Sequence, residues 1–380
     1  MATCDYLSSQ HDGIVSPLSG IRLPNNVTGK IPIYKRLNEE HAPRVCNPAI
    51  LSGAQIALGI RDVSLQIPDY NIVLVDSVPQ SAVISSHAKF KASINPENAG
   101  DAQDFHESCF AEAATVNLLF PDVRSESIRI CLAAWLAAIC TADDLLEAMP
   151  PAAATANLKE LILKFQGRKA DVSATNKLAS IFLFFIDHCN QQLDLDESIS
   201  RQLNNDLCNI CESWLDELRF RQGILPNNFE TYMQFRGKTM AIQPFFTLMR
   251  TMYKPIEGEY LSGLQDLLNQ ISLVLGLQND LVGLEKDRRD GETMNAVLLS
   301  LKEKAEMDAD HMEIEFRRKI EEICDLHNLY VSAAVEMYQA LHVSMNEDAH
   351  DPTLETAILA LADTHLKWCT SYKRYQAKIE

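Results

Sequence analysis

The stretch that decides the fold is SIRICLAAWLAAICTADDLLEAMP, residues 127–150. Most of it is apolar on every side of a helix, which is typical of a central, buried helix. Three acidic residues, Asp143, Asp144 and Glu147, then follow just before a proline pair. Their spacing places Asp143 and Glu147 on one helix face, at the end where the helix dipole opposes negative charge. The stretch therefore predicts either a cation site or a solvated helix end.

Helical periodicity continues along most of the chain. From about residue 100 onward, apolar residues recur at steps of three and four, and the breaks fall at proline- and asparagine-rich turns. No fixed-period repeat is present, which disfavours a helical solenoid. The pattern predicts an all-α domain over residues 100–380. The predicted helical segments are 102–117, 122–148, 154–166, 172–192, 197–221, 228–252, 258–285, 294–345 (as two helices) and 352–377.

Residues 1–99 differ in composition from the rest of the chain. They are rich in Pro, Asn, Ser and Gly, and their apolar pieces are short, as in NIVLVDSV at 71–78. No helical period is sustained there. We therefore predict an irregular N-terminal arm, which can be partly disordered.

The charge balance disfavours one large class of partner. The 380 residues carry 52 Asp and Glu against 34 Lys and Arg, for a formal net charge of -18. Binding to a nucleic-acid backbone needs clustered Lys and Arg, so we expect no nucleic-acid partner.

The most apolar segment of the chain is too short to cross a membrane. The apolar run before Asp143 is shorter than the roughly 18 residues that a membrane span needs, so we expect no membrane-spanning helix. Scattered cysteines and a start without an apolar signal region favour a reduced, cytoplasmic protein. We expect a monomer or a homodimer.

A second acidic segment is NDLVGLEKD, residues 279–287. Asn279, Gly283 and Asp287 lie at steps of four and therefore share one helix face. The preceding residues are apolar, so Asn279 and Asp280 should lie at the buried end, where they are costly without partners. A solvated helix end is the alternative. It explains the charged residues at 285–292 well, but it explains the Asn279–Asp280 pair poorly.

The two acidic segments together resemble the metal-binding motifs of class I terpene synthases. Those motifs are DDxx(D/E) and (N/D)Dxx(S/T)xxx(E/D), and in that family they face each other across an all-helical cavity and bind three Mg²⁺. In this chain they read DDLLE at 143–147 and NDLVGLEKD at 279–287. Gly283 departs from the usual Ser or Thr, and Asp287 replaces the commoner Glu.

Two further segments match the family in the same order. YMQFRGKTMAIQP, residues 232–244, resembles its Y-x-x-x-R-x-x-T-x-G-x-x-P segment, with Ala241 where glycine is usual. WCTSYKRY, residues 368–375, resembles its C-terminal Arg-Tyr pair. The resemblance covers about residues 100–380. It implies a single-domain helical bundle of the isoprenoid synthase type around a central cavity.

The resemblance also implies roles for individual residues. Arg236 would sense the diphosphate, and Lys286, Arg374 and Tyr375 would donate to its oxygens, although Lys286 can instead pair with a nearby carboxylate. Three Mg²⁺ are expected, with Mn²⁺ as a substitute, and a water would replace the missing oxygen at position 283. The implied metal-site residues are Asp143, Asp144, Glu147, Asn279, Gly283 and Asp287, of which Asp144 and Glu147 can also act through water or basic partners.

An apolar, aromatic wall would protect a reacting cation from water. Trp368 is the first candidate because its spacing from Arg374 matches the family. For each other aromatic, ordinary core packing is the competing interpretation. The further wall candidates are Phe120, Leu136, Ile139, Cys140, Phe185, Thr239, Met240 and Phe245.

The implied activity is that of a carbon–oxygen lyase in terpenoid biosynthesis. A prenyl diphosphate, with farnesyl diphosphate as the first choice, would be ionised and cyclised to a terpene hydrocarbon or alcohol. A single domain of this size is similar to fungal or bacterial sesquiterpene cyclases and indicates fungal secondary metabolism. A diterpene cyclase that uses geranylgeranyl diphosphate is the alternative. Two other classes of protein stay open as alternatives. A chain-elongating prenyltransferase normally carries two DDxxD segments, so Asn279 and the spacing of the second motif favour a cyclase. A non-catalytic helical scaffold would not need four ordered motifs.

Overall fold

Helices form most of the regular structure in the computed structural model. It describes residues 32–36, 51–58, 62–68, 72–76, 79–96, 102–168, 173, 175–253, 258–301, 309–344 and 354–371. The prediction of an all-α domain is confirmed. No helix within these ranges is long and apolar enough to cross a membrane. The helices are α1 (Ser81–Ile94), α2 (Ala102–Leu119), α3 (Glu126–Ala148), α4 (Pro151–Phe165), α5 (Lys177–Gln192), α6 (Glu197–Arg221), α7 (Phe229–Thr239), α8 (Gln243–Met249), α9 (Gly258–Arg289), α10 (Ala296–Leu301), α11 (Ala309–Ser344) and α12 (Leu354–Ser371).

Helix α3 is central, as its sequence predicts. Ser125 caps it, because its side chain accepts a hydrogen bond from the Ile128 amide at 3.4 Å. Residues 130–138 are all buried. The helix ends at Ala148, before Met149, because a residue that precedes a proline is pushed out of the helical region.

The sequence predicts one helix over 228–252, but the structure breaks it into α7 and α8. Within a continuous helix, Pro244 could not bond to the carbonyl of Met240, and its ring would clash with that carbonyl. The chain therefore turns at Ala241, whose φ of 54° is unusual for a residue with a Cβ. The Trp135 indole N–H donates to the Ala241 carbonyl at 2.9 Å, which holds the break against α3.

Part of the segment predicted to be irregular forms strands and a helix. Strand β1 (Pro32–Arg36) pairs with β4 (Ile72–Asp76), and β2 (Leu51–Ala57) pairs antiparallel with β3 (Asp62–Pro68), from Leu51 opposite Pro68 to Ala57 opposite Asp62. Helix α1 follows. In β3, buried Val63, Leu65 and Ile67 alternate with exposed residues, which is the signal of a half-buried strand. The signal is only seven residues long and lies among turn-forming residues, so the wider composition obscures it.

The chain divides into two compact units. The first comprises Met1–Lys35, Val73–Leu218 and Ala241–Pro255, and the second comprises Arg36–Ile72, Arg219–Met240 and Ile256–Glu380. In the first unit, Phe182 packs between Trp135 and Trp214, with ring centroids 6.0 Å from each. In the second, the buried side chains of β3 join those of α7, α9 and α11 in one core. The DDLLE motif lies in the first unit and the NDLVGLEKD motif in the second.

Candidate functional site

The first acidic motif ends α3 with one buried and two exposed carboxylates. Asp143 is 5% exposed, whereas Asp144 and Glu147 face solvent. Among the described residues, Asp143 Oδ1 has no hydrogen-bond partner. Burial raises the pKa of Asp143 well above its usual range, and the nearby carboxylates Glu147, Glu217 and Asp144 raise it further. A buried acid in this position is costly, and a bound cation would offset the cost.

Glu217 is a part of this acidic cluster that the sequence did not reveal. It lies on α6 and is buried, and its charge acts on Asp143. A single glutamate within a long amphipathic helix carries no motif. Its proximity to Asp143 depends on how α6 packs within the first unit, which no local pattern encodes.

The second acidic motif has its inner carboxylate fully paired by the protein. Asp280, 1% exposed, accepts from the Arg236 guanidinium at 2.7 Å and from the Tyr232 hydroxyl at 2.7 Å. The backbone amide of Ala296, the first residue of α10, adds a third hydrogen bond at 3.1 Å. The prediction that Asn279 and Asp280 are buried and partnered is confirmed. Asp280 therefore anchors Arg236 and Tyr232.

Arg236 is held at a close approach between α7 and α9. Its Nη2 also donates to Asn279 Oδ1 at 3.0 Å and to the Gly276 carbonyl at 3.4 Å. A Cβ at Gly276 would lie 3.0 Å from the Arg236 Cγ, so glycine there makes room for the arginine side chain. Tyr232 and Arg236 are one helical turn apart, which explains why both reach Asp280. Sequence reasoning missed Gly276, whose role depends on the opposing helix.

The outer end of the second motif is tied down by Asn295. The Asn295 side-chain amide donates to Asp287 Oδ2 at 2.9 Å and to the Asp280 carbonyl at 2.7 Å. Burial raises the pKa of Asp287, the Asn295 hydrogen bond opposes that rise, Asp280 adds to it and Lys286 opposes it. Lys286 Nζ lies 3.6 Å from Asp290 Oδ2, which is the pairing with a nearby carboxylate that the sequence also allowed. Sequence reasoning missed Asn295, whose position just before α10 is the only local signal.

Magnesium fits the donors of both motifs. Within the described ranges, no three His, Cys, Asp or Glu side chains converge as a ready-made metal site. Mg²⁺ does not require one, since it takes one or two carboxylates and fills its octahedron with water and phosphate oxygens. Among the described residues, Asp143 offers an oxygen without a hydrogen bond, and Asn279 and Asp287 contribute side-chain oxygens, the ligand type that Mg²⁺ prefers. Gly283 lies between the last two on α9 and provides no side-chain donor.

A family model described as terpene synthase family 2, C-terminal metal binding, matches residues 134–325, half of the chain. The match contains both acidic motifs, Tyr232 and Arg236. The chain belongs to the terpene synthase family. Metal binding is part of the matched description, which agrees with the donors above. As a member of this family, the protein is an enzyme of the lyase type.

Solved structures of terpene synthases share the fold of this one. The linalool/nerolidol synthase from Streptomyces clavuligerus, in complex with 2-fluorogeranyl diphosphate, is 17% identical over 77% of this chain and 95% of that chain, with a TM-score of 0.55. Hedycaryol synthase in complex with nerolidol is 11% identical over 75% and 94%, also at 0.55. An a-eudesmol synthase is 13% identical over 77% and 96%, again at 0.55. No curated protein sequence matches the chain.

The wall candidates in the first unit of this terpene synthase are mostly buried. Phe120 and Phe245 pack with ring centroids 5.0 Å apart, which joins the end of α2 to α8. Phe185 has no exposed surface and packs on Trp135 at 5.0 Å. On α3, Leu136 is buried, and Ile139 and Cys140 are half-buried within two turns of Asp143. Their place in a cavity wall stays a prediction.

The candidates in the second unit lie at the ends of two helices. Trp368 is half-buried near the end of α12, with its ring 5.5 Å from that of His365. Thr239 and Met240 are half-buried where α7 ends, and the Thr239 hydroxyl donates to the Arg236 carbonyl at 3.0 Å. Arg374 and Tyr375 lie outside the described residues, so their roles stay predictions.

Proposed function

We propose that this terpene synthase ionises farnesyl diphosphate and cyclises the resulting allylic cation to a sesquiterpene hydrocarbon or alcohol, releasing diphosphate. The observation that carries the proposal is Asp143, a buried carboxylate that lies beside other carboxylates and has an oxygen without a hydrogen-bond partner among the described residues. A bound cation would stabilise the ionised form of such a group. In this family, the expected cation is the metal ion that accompanies a diphosphate substrate.

In this proposal, some side chains bind Mg²⁺ and others bind the diphosphate. Asp143, Asn279 and Asp287 hold Mg²⁺, with three ions in total and Mn²⁺ as a substitute. Bound Mg²⁺ supplies the Lewis-acid charge that stabilises the departing diphosphate. Arg236 Nη2 donates to Asn279 and Asp280, which fixes the position of the guanidinium group, and we propose that this group also donates to diphosphate oxygens. Lys286, Arg374 and Tyr375 are further proposed donors.

The apolar side chains keep water away from the cation. We propose that Phe120, Phe245 and Trp368 present ring faces to it, since an aromatic quadrupole attracts positive charge without reacting as a water molecule would. Trp368 should then control which bonds form more than how fast diphosphate leaves.

Farnesyl diphosphate suits a single helical domain of this size, and one structural neighbour is solved with a prenyl diphosphate analogue and another with nerolidol. We propose a cytoplasmic location and a monomeric or homodimeric state. A place in fungal secondary metabolism is proposed from the single-domain organisation that the sequence shares with microbial cyclases.

The test is an incubation of the purified protein with Mg²⁺ and, separately, geranyl, farnesyl and geranylgeranyl diphosphate. Released diphosphate is measured, and volatile products are extracted for gas chromatography with mass spectrometry. A cyclic product from farnesyl diphosphate, lost on chelation of the metal, supports the proposal. Turnover of geranylgeranyl diphosphate alone would make the protein a diterpene cyclase. A longer linear prenyl diphosphate would indicate chain elongation, and absence of turnover would favour a scaffold.

A further inference from the structure

A fully buried glutamine joins three helices beside the second acidic motif. Gln278, with no exposed surface, directly precedes Asn279 on α9. Its Nε2 donates to the Ala362 carbonyl of α12 at 2.7 Å and lies 3.2 Å from His327 Nε2 of α11. Its Oε1 lies 2.9 Å from His365 Nδ1, one helical turn further along α12. One side-chain amide thus makes two contacts with α12 and one with α11.

The chemistry of these atoms allows one arrangement of protons on the α11 side. The Ala362 carbonyl only accepts, so the atom of Gln278 that faces it must be the NH₂ group. The second N–H of that group then donates to His327 Nε2, which leaves the His327 proton on Nδ1. That Nδ1–H donates to Asn328 Oδ1 at 3.2 Å. Burial lowers the pKa of His327 to about 4, so its imidazole is neutral at pH 7 and carries one proton.

Hydrogen-bond chemistry also fixes the positions of the protons on the α12 side. Gln278 Oε1 only accepts, so His365 must also carry its proton on Nδ1. Its Nε2 lone pair then faces the Cys369 sulfur at 3.6 Å, which can donate weakly. Burial, followed by the charge of Arg236, lowers the pKa of His365 to about 3. The hydrogen bonds of Gln278, His327, Asn328 and His365, which we call the Gln278 network, are therefore consistent in one direction throughout.

The two ends of the network reach different features of the second unit. Asn328 Oδ1 also accepts from the backbone amide of Gln66 in β3 at 2.8 Å, which ties the network to the β2–β3 hairpin. At the other end, the His365 ring packs on Trp368. The hairpin, the metal motif on α9 and the wall candidate on α12 are thereby connected through four side chains.

Apolar packing would hold these helices together without such a network. Polar groups in a core are costly unless every one is satisfied, and apolar replacements are often as stable. Hydrogen bonds add direction, which apolar contacts lack. Bonds to both Ala362 and His365 fix the axial position and the rotation of α12 against α9. A sliding or turning of α12 would break both bonds.

We propose that Gln278 is a positioning residue that sets Trp368 relative to the Asn279 end of the metal motif, and so determines product specificity. The proposal rests on the proposed function, because it assigns Trp368 to the wall and Asn279 to the metal. It also gives the N-terminal hairpin a role, which is to hold the Asn328 end of the network in place.

The main experiment compares Gln278→Leu with Gln270→Leu. Gln270 is a matched control, since it lies two turns earlier on α9 and, within the part of the chain that the structure describes, donates to the Tyr330 carbonyl of α11 alone, at 3.1 Å. Products, kcat and KM are measured with Mg²⁺ and the best prenyl diphosphate, below the unfolding temperature of each variant. We expect Gln278→Leu to redistribute the products and lower kcat about 10-fold at similar KM, because small misplacements near a reacting group are costly. Gln270→Leu should keep the wild-type product profile.

An unchanged product profile in Gln278→Leu, or the same change in Gln270→Leu, would overturn the proposal. Should Gln278→Leu fail to fold, the pair Asn328→Leu and Asn328→Asp gives the answer. Asp keeps the Oδ1 acceptor for Gln66 and His327, so it should retain the wild-type profile, whereas Leu should shift it. Equal profiles for these two variants would also contradict the proposal.

A measurement independent of turnover separates this proposal from the proposed function. In protein labelled with ¹⁵N-histidine, His327 and His365 should give the nitrogen shifts of neutral Nδ1–H tautomers, with His327→Phe and His365→Phe assigning the signals. Nε2–H tautomers at either position would exclude the network. Failure of the wild type to consume any prenyl diphosphate, with the tautomers as expected, would instead remove the proposed function and leave the network as a purely structural device.

Discussion

Two buried aspartates, one in each unit, show how differently a helix can carry a negative charge. Asp280 is surrounded by donors from the protein, with Arg236, Tyr232 and the Ala296 amide all bonded to its carboxylate. Asp143 has an oxygen without a partner among the described residues, and carboxylates lie near it. Burial alone therefore does not identify a metal ligand. The distinguishing property is whether the protein itself neutralises the charge.

The comparison predicts that these two aspartates fail in different assays. Asp143→Asn should lower kcat/KM for the prenyl diphosphate by at least about 1,000-fold, or about 4 kcal/mol, because the first ligand for Mg²⁺ is lost. Its thermal unfolding midpoint should stay the same or rise, since an unneutralised buried acid is removed. Steady-state kinetics and circular dichroism melts test both halves. Retention of most activity would remove Asp143 from the metal site.

Asp280→Asn should act mainly on folding. It leaves Arg236 buried without its counter-charge, and breaking such a pair on one side typically costs about 3 kcal/mol or more. Urea unfolding should show this loss. Asp290→Asn is the matched control, because Asp290 pairs with Lys286 at the surface, where such pairs contribute less than about 1 kcal/mol. Similar unfolding curves for the two variants would mean that Asp280 is not an anchor.

Asp206 on α6 provides an intermediate case in which the partners are neutral. Its carboxylate accepts from the Thr247 hydroxyl at 2.5 Å and from the Gln202 amide at 2.8 Å. Burial raises its pKa from the ordinary 3.8 to about 6, while these hydrogen bonds oppose the rise. Between those values the folded protein holds more protons than the unfolded chain does. The contribution of Asp206 to stability is therefore greatest below about pH 4 and is lost as the pH rises to about 6.

Urea unfolding from pH 4 to pH 8 tests this reasoning. The free energy of unfolding of Asp206→Asn, relative to that of wild type, should increase by about 2 kcal/mol as the pH rises through that window, because the wild type loses stability there and asparagine does not ionise. A difference that stays constant with pH would show that Asp206 titrates normally.

The smallest of these effects concerns the space beside Arg236. Gly276→Ala should displace the arginine by a few tenths of an ångström and lower kcat/KM about 10-fold, or about 1.4 kcal/mol, with little change in the unfolding midpoint. Gly263→Ala on the same helix is the control, because its Cβ would meet only the flexible end of Leu341. Equal kinetics for the two variants would argue against a role for the fixed position of Arg236.

The accuracy of the sequence predictions follows how local each feature is. Helix α3, and helix α9 with Asn279, Gly283 and Asp287 on one face, depend on periodicity within a few turns. Both helices were predicted correctly. The partners of Asp280 and the burial of Glu217 depend on other elements and carry no local signal beyond the Tyr232–Arg236 spacing. Strand β3 had a signal, but one too short to stand out in its surroundings. The break at Ala241 was encoded by Pro244 and went unrecognised inside a long periodic segment.

The hairpin formed by β2 and β3 has a consequence for how the protein is made. Its Gln66 amide bonds to Asn328, 262 positions later, and its apolar face packs in a core that includes residues of α11. At about 5 to 20 residues per second, a ribosome takes roughly 13 to 50 seconds to synthesise that separation. Until α11 is made, the apolar face of the hairpin lacks the part of its native core that α11 supplies. We expect the second unit to complete its folding only near the end of translation, and contacts this distant in sequence to make refolding slow.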